Sequence, residues 1–205
     1  MIWIILPIVV IAYFLRGYLA RLIFANDAPQ IALIFGFFAG AIFFRTIYAL
    51  ISRWFYAQKD SRTPLYVSIF SIGLNIILAY SLSRPGAYDI AGLAMAQSFV
   101  AAAEVVILMA IMFIRDRKLL DKDFWIGIYR ILSVTGFAVV TAYIMLSFYP
   151  LLTTDRGVFT LGGKLLAIVI PTFTVYVTMS ILFGLDEPKP VLRKFKAIIL
   201  KPIKI

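Results

Sequence analysis

The sequence IAGLAMAQSFVAAAEVVILMAIMFI occupies residues 90–114 and contains a single charged residue, Glu104. A helix needs roughly 17–25 predominantly apolar residues to cross the hydrocarbon core of a bilayer, so this stretch is long enough to span one. Further long apolar stretches occupy residues 2–19, 31–52, 65–82, 124–148 and 164–184. The sequence therefore predicts an all-α integral membrane protein with about six transmembrane helices.

The amino-acid composition supports this class and excludes several kinds of chemistry. Hydrophobic residues make up 63% of the 205 positions, whereas a soluble domain holds roughly 45–50%. The chain has no cysteine and no histidine, which excludes disulfides, metal sites built from these residues and histidine-based acid/base catalysis. We predict no metal, no cofactor and no enzymatic activity.

The basic residues predict how the chain is oriented in the membrane. Three Lys or Arg residues follow the second predicted span, four follow the fourth and six lie beyond the sixth, whereas five lie at the opposite ends of the spans. The positive-inside rule places the first group in the cytoplasm, with both termini. Anionic lipid headgroups account for the net charge of +10 without a nucleic-acid partner. We predict a transmembrane domain at residues 1–185 and a basic cytoplasmic tail at residues 186–205.

Two predicted spans contain features that disturb a straight helix. The first includes Pro7 and runs into Arg16, so we expect it to tilt or kink. Pro171 lies inside the sixth span and removes one helical hydrogen bond, which predicts a kink there. The hydroxyls of Thr172 and Thr174 are candidates to bond the carbonyls that this proline frees.

Four polar residues lie inside predicted spans and need an explanation. A charge at the centre of a bilayer costs at least a few kcal/mol and normally faces protein or water. At about 1.5 Å per residue, Arg45, Asn75 and Glu104 lie roughly 12–17 Å from the predicted cytoplasmic boundary. They therefore share one layer of the membrane. Arg130 lies only about 9 Å inside and is expected to extend its guanidinium to the headgroups.

Helical spacing places these residues on polar stripes of three consecutive helices. The stripes are Arg45, Tyr48 and Ser52 on the second span, Ser68, Ser71 and Asn75 on the third, and Gln97, Ala101 and Glu104 on the fourth. Lipid offers no hydrogen-bond partners, so the stripes are expected to face one another or a shared cavity.

Two interpretations of the stripes remain open. In the first, Arg45 pairs with Glu104 and the serines hydrogen-bond between closely packed helices, which would make a purely structural lock. In the second, the stripes line a hydrated path for a polar or ionic substrate. The candidate path residues are Arg45, Tyr48, Ser71, Asn75, Gln97 and Glu104.

Three short phrases resemble the MurJ/MviN family of lipid II flippases. They are LARLIF at residues 19–24, RWFYAQKDSRTP at residues 53–64 and IAGLAMAQS at residues 90–98. In the second phrase, which in that family joins two core helices, the matching residues are Tyr56, Gln58, Asp60, Thr63 and Pro64. The phrases occur in the family's order, and the resemblance covers residues 1–115, with the remainder similar in hydropathy.

The resemblance implies a fold and a function. The fold is that of the multidrug, oligosaccharidyl-lipid and polysaccharide exporters, with fourteen helices of which this chain would supply the last six. The two final spans would match the pair that forms a groove for the polyprenyl tail. The implied function is translocation of a polyprenyl-linked cell-wall precursor across the inner membrane of a bacterium.

The chain also departs from the family's pattern. The first lobe has no counterpart here, so we expect a truncated gene, a split gene or a half transporter that needs a separate partner chain. Residues 26–29, with the sequence NDAP, stand where the family has glycine and phenylalanine, and Glu104 adds a charge. The alternatives to a flippase are a membrane scaffold for cell-wall synthesis, another exporter half of this superfamily, and an integral-membrane enzyme.

Overall fold

The computed structural model describes residues 2–24, 28–84, 88–116, 121–152, 155, 157–190 and 193. Within these residues the long elements are all α-helices, and no strand is present. They are α1 (Ile2–Phe14), α2 (Arg16–Ile23), α3 (Ala28–Ala57), α4 (Arg62–Leu82), α5 (Asp89–Arg115), α6 (Lys122–Phe148) and α7 (Val158–Leu182). The prediction of an all-α fold is confirmed.

The helices also agree with the predicted number of spans. Each of α3 to α7 contains a stretch long and apolar enough to cross a membrane. The pair α1 and α2 passes the same test together, with a bend of 64° between the two helices. The described residues thus contain five candidate spans, or six when the bent pair counts as one.

The first span is bent, as expected, but not at its proline. Pro7 lies inside α1 without ending it, and the break falls at Leu15, between Phe14 and Arg16. The helical structure then continues to Ile23 instead of stopping at residue 19. The prediction placed the end too early because two arginines in this stretch resemble the edge of a span.

Hydrogen bonds explain why α2 turns away from α1. Tyr18 donates its hydroxyl to the carbonyl of Tyr149, and Arg21 donates to the carbonyl of Leu152. Both acceptors lie just after the end of α6, and the Leu152 carbonyl also accepts the backbone N–H of Asp155 at 3.1 Å. The bend therefore brings the polar side chains of α2 over this segment.

Helix α7 begins six residues before the predicted start at residue 164. The prediction took Lys164 as the edge of the span, but this residue lies within the helix. Its ammonium reaches the carboxylate of Asp155 at 2.5 Å and the carbonyl of Pro150 at 3.0 Å. The charge is thus neutralised next to the preceding loop, which allows the helix to start earlier.

Pro171 does not interrupt α7, which runs from Val158 to Leu182 through it. Thr172 donates its hydroxyl to the carbonyl of Ile168, and Thr174 donates to that of Ile170. A proline removes the hydrogen bond to the carbonyl four residues earlier, which here belongs to Ala167. The prediction that these threonines bond the carbonyl freed by Pro171 was therefore wrong, because both hydroxyls bond other carbonyls.

The helices pack in two groups that α1 connects. In the first group α5 lies between α3 and α4, and in the second α6 packs on α7. Trp3 of α1 donates its indole N–H to Ser180 of α7 at 2.8 Å, and Tyr176 donates to the carbonyl of Trp3 at 2.7 Å. Large apolar side chains such as Phe70 and Tyr143 remain exposed on the outer faces, as expected for helices that contact lipid.

Candidate functional site

Small residues on α5 allow its neighbours to approach closely. Gly92, Ala94 and Ala101 are buried on this helix. The hydroxyl of Ser98 donates to the backbone carbonyl of Phe37 on α3 at 2.5 Å. Such contacts are typical of membrane helices that pack through small residues. They fix α3 and α4 on α5, while α3 and α4 touch each other little.

A cavity of about 340 Å³ lies between these three helices and is called the α3–α4 cleft here. Its lining residues are Arg45 of α3, Ser68, Ser71, Ile72, Asn75 and Ile76 of α4, and Gln97, Val100 and Glu104 of α5. The polar stripes predicted on three consecutive helices therefore meet in one cavity.

The structure brings the six candidate path residues together. Five of them line the cleft, and the sixth, Tyr48, hydrogen-bonds the cleft residue Ser68 at 2.7 Å. Across the cleft, the Asn75 amide donates to the Gln97 carbonyl oxygen at 2.7 Å. Ser52, on the same predicted stripe as Tyr48, is buried away from the cleft, and its hydroxyl has no hydrogen bond among the described residues.

Arg45 and Glu104 form a loose ion pair in this cleft. The guanidinium nitrogen Nη1 of Arg45 lies 4.0 Å from Oε2 of Glu104, beyond the 2.7–2.9 Å or so of a charge-assisted hydrogen bond. The Glu104 side chain is 5% exposed, whereas that of Arg45 is 50% exposed. Oε2 of Glu104 and the Ser71 hydroxyl have no hydrogen bond within the described part of the chain. The pair is therefore incompletely satisfied, and half of the Arg45 side chain is accessible from outside it.

A second cavity, of about 470 Å³, opens on the other side of Arg45. Its remaining lining residues are Phe38, Ala41, Ile42, Thr46, Ala49, Leu50 and Arg53 of α3, and Gln97 of α5. Arg45 and Gln97 line both cavities, so the guanidinium lies at the boundary between them. A group that reaches Arg45 through this opening meets two arginines and no carboxylate.

The chemistry of the cleft is that of binding. A guanidinium donates two parallel hydrogen bonds to phosphate or carboxylate oxygens, and amide and hydroxyl groups bind sugars or peptides. The described residues contain no group of three or more acidic, histidine or cysteine side chains that could hold a metal ion. The arrangement thus favours an anionic, polar ligand.

The family-like residues of the α3–α4 connection form a separate cluster at one end of the bundle. Backbone bonds from Lys59 to Tyr56 and from Asp60 to Phe55 end α3, with Lys59 in the left-handed conformation at φ 60°. These two backbone hydrogen bonds together form a Schellman motif. Gln58 and Tyr56 are exposed here, whereas Phe55 is fully buried.

Asp60 joins the ends of three helices at this point. Its carboxylate accepts hydrogen bonds from the backbone N–H groups of Arg62 and Thr63 and from the Thr63 hydroxyl, at 2.6–3.1 Å. Arg115, at the end of α5, donates to Asp60 at 2.5 Å and to the Thr63 hydroxyl at 3.0 Å. Pro64 is buried behind them in the first turn of α4. We call Asp60, Thr63 and Arg115 the Asp60 clasp.

The Asp60 clasp is expected to make stability depend on pH. Hydrogen bonds from Thr63, and then from Arg115, hold the pKa of Asp60 well below its usual range. A lowered pKa stabilises the fold above the unfolded value of about 4, and this stabilisation is lost as the pH falls toward the folded pKa. The thermal midpoint of the native chain should therefore exceed that of Asp60→Asn by a constant margin above about pH 5.

This margin should narrow below about pH 4 and continue to shrink as the medium becomes more acidic. Thermal unfolding of both chains in the same detergent from pH 7 to pH 3 measures it. Asp121→Asn is the matched control, because Asp121 caps α6 outside the clasp. A margin that did not change with pH would show that the negative charge of Asp60 does not stabilise the fold.

Sequence reasoning missed Arg115 as a partner in this cluster. It counted Arg115 only among the basic residues of a loop, because 55 positions separate it from Asp60. Many membrane proteins have a basic residue at the end of one helix and an acidic residue between two others. This pattern alone therefore could not predict the contact between Arg115 and Asp60. The first two residues of the NDAP departure at residues 26–29, and most of the predicted tail beyond residue 190, lie outside the described residues.

Comparison of the sequence with models of known protein families gives a match. The family model described as lipid II flippase MurJ matches residues 1–161. This range includes every residue that lines the α3–α4 cleft and the whole Asp60 clasp, and it extends beyond residue 115, where the resemblance of short phrases stops. A search of curated proteins finds no match.

Proposed function

The chain belongs to the MurJ family of lipid II flippases, and from this membership we propose that it moves a polyprenyl-linked cell-wall precursor between the leaflets of the bacterial inner membrane. The direction is from the cytoplasmic to the outer leaflet. Its candidate spans are proposed to correspond to the last six of the fourteen helices that the resemblance implies for this fold.

The observation that carries the proposal is the charged cleft at membrane depth. Arg45, Asn75, Gln97 and Glu104 meet in a cavity between helices whose outer faces are apolar. Ionisable residues inside a membrane are costly and usually mark a transport path. Because Arg45 is half exposed and faces two cavities, it can meet a ligand that a purely structural lock would exclude.

Each part of the cleft has a proposed role. Arg45 binds a phosphate of the lipid-linked precursor, and Glu104 is its counter-charge when no precursor is bound. Asn75, Gln97 and Ser71 offer hydrogen bonds to the sugar or peptide groups. The apolar faces of α6 and α7 accompany the polyprenyl tail, as the resemblance implies. Movement between leaflets follows from rocking of packed helix groups about the site.

The test is complementation in cells depleted of their own lipid II flippase. Expression of this chain, alone or with a chain carrying the family's first eight helices, is expected to restore growth and the appearance of precursor in the outer leaflet. A membrane-inserted chain that restores neither in either arrangement would contradict transport. If it instead remained bound to cell-wall synthases, the scaffold alternative would be favoured.

A further inference from the structure

A second role, in proton binding, follows for Glu104, and it rests on the proposed phosphate-binding role of Arg45. We infer that Glu104 takes up one proton when Arg45 leaves it for an anionic ligand, so that anion binding in the cleft is coupled to proton binding. The ligand class is a polyprenyl diphosphate or another phosphate ester of similar charge. The coupling would make each binding event carry an anion and a proton together.

The geometry shows how poorly the carboxylate of Glu104 is satisfied. The residue is 4% exposed, and its Oε2 has no hydrogen bond in the described part of the chain. Its compensating charge is the guanidinium of Arg45 at 4.0 Å. A buried carboxylate with an unbonded oxygen and no close cation is costly to keep charged, so the charged state of Glu104 depends on Arg45.

The helices around Glu104 offer no substitute for Arg45. Among the described residues, α5 packs against α3 and α4. From α3 the ionisable groups near the cleft are Arg45 and Tyr48, and the Tyr48 hydroxyl is engaged with Ser68. From α4 the cleft receives Ser68, Ser71 and Asn75 together with two isoleucines, none of which carries a charge.

Ligand binding therefore changes the charge balance of the cleft. A phosphate binds a guanidinium in a fork of two hydrogen bonds, which draws Arg45 toward the ligand. Glu104 then lacks its counter-charge and takes up a proton from the buffered solution, relayed by water in the cleft, which converts its carboxylate to a neutral carboxyl. The O–H so formed can be donated to the hydroxyl of Ser71, which is buried and lines the same cleft.

This coupling fixes the sign of the pH dependence. Because the bound state holds more protons than the free state, affinity rises as the pH falls. The rise is about tenfold per pH unit across the range where Glu104 is ionised when free and protonated when bound. When the ligand leaves, Arg45 returns and Glu104 releases its proton.

Calorimetric titration with farnesyl diphosphate tests the inference on the purified chain. Titrations in buffers of different ionisation enthalpy count the protons taken up per ligand. The native chain is expected to take up about one more proton than Glu104→Gln, and the affinity of Glu104→Gln should change with pH only as the diphosphate itself titrates. Glu104→Asp, which keeps a carboxylate, should retain most of the uptake and guards against a folding defect in the glutamine variant.

The outcomes separate this inference from the proposed function. Binding to the native chain with the same proton count as Glu104→Gln would overturn the coupling and leave phosphate binding intact. No binding to the native chain at any pH, or equal binding to Arg45→Gln, would overturn the role of Arg45 and the coupling with it. Binding that Arg45→Gln loses, together with the extra proton in the native chain, supports both.

Discussion

Replacement of Arg45 by glutamate is expected to abolish transport, with a fall of at least about 100-fold in the rate at which precursor reaches the outer leaflet. The substitution removes the proposed phosphate ligand of the cleft. It also places a second carboxylate near Glu104, where the native distance to the guanidinium is 4.0 Å. Glu104 loses its counter-charge at the same time, so the cleft no longer offers a cationic partner to an anion.

The measurement is precursor flipping in reconstituted vesicles at equal protein content. Arg84→Glu is the matched control, because Arg84 is an exposed arginine just after α4 and outside both cavities, and it should transport at nearly the native rate. The exchange Arg45→Glu with Glu104→Arg restores the ion pair across the cleft and should recover stability without recovering transport. Native transport by Arg45→Glu would exclude Arg45 from the path.

Substitution of Gly92 by alanine is expected to destabilise the fold by at least about 3 kcal/mol. A methyl group at this position would lie 2.1 Å from the carbonyl oxygen of Leu82 and 2.4 Å from its carbonyl carbon. Both are backbone atoms at the end of α4, so no side chain can rotate away to make space. The start of α5 would have to separate from the end of α4.

Gly73→Ala provides the comparison, because no described atom outside the neighbouring backbone of its own helix lies within 4 Å of the position its methyl group would occupy. Both substitutions add one methyl group to a helix, and alanine favours a helix by up to about 1 kcal/mol relative to glycine. Gly73→Ala should therefore unfold at or above the native temperature, whereas Gly92→Ala should unfold well below it. Equal midpoints for the two variants would show that the turn between α4 and α5 adapts freely.

Helical periodicity allowed the sequence to predict which polar residues share the cleft. Arg45, Asn75 and Glu104 were predicted at a similar depth because each helix rises by a constant amount per residue, and lipid cannot satisfy their polar groups. These two facts predicted a shared cavity, and the structure contains it. The same reasoning left open whether Arg45 and Glu104 pair, because that depends on side-chain distances of an ångström or two.

Other features depended on contacts between distant segments and could not be predicted. Arg115 reaches Asp60 across 55 positions, and α2 turns because its side chains find carbonyls beyond α6. Lys164 appeared to be the edge of a span, since its partner Asp155 lies in a loop that carried no pattern. In each case a charge gave a local signal whose meaning depended on a partner elsewhere in the fold.

The most direct test of the account is the accessibility to water of the α3–α4 cleft. The chain contains no cysteine, so single-cysteine variants can be labelled without further changes. Asn75 lines the cleft, whereas Ile77, two residues along α4, is 63% exposed on the outer surface. Thiols react with aqueous reagents as thiolates, which form in water and not in hydrocarbon.

In lipid vesicles, a membrane-impermeant thiol reagent is predicted to label Asn75→Cys at least roughly tenfold faster than Ile77→Cys. Both variants should react with a lipid-soluble reagent, which confirms that each thiol is present. Equal labelling by the impermeant reagent, or faster labelling at Ile77→Cys, would contradict a polar cleft at membrane depth.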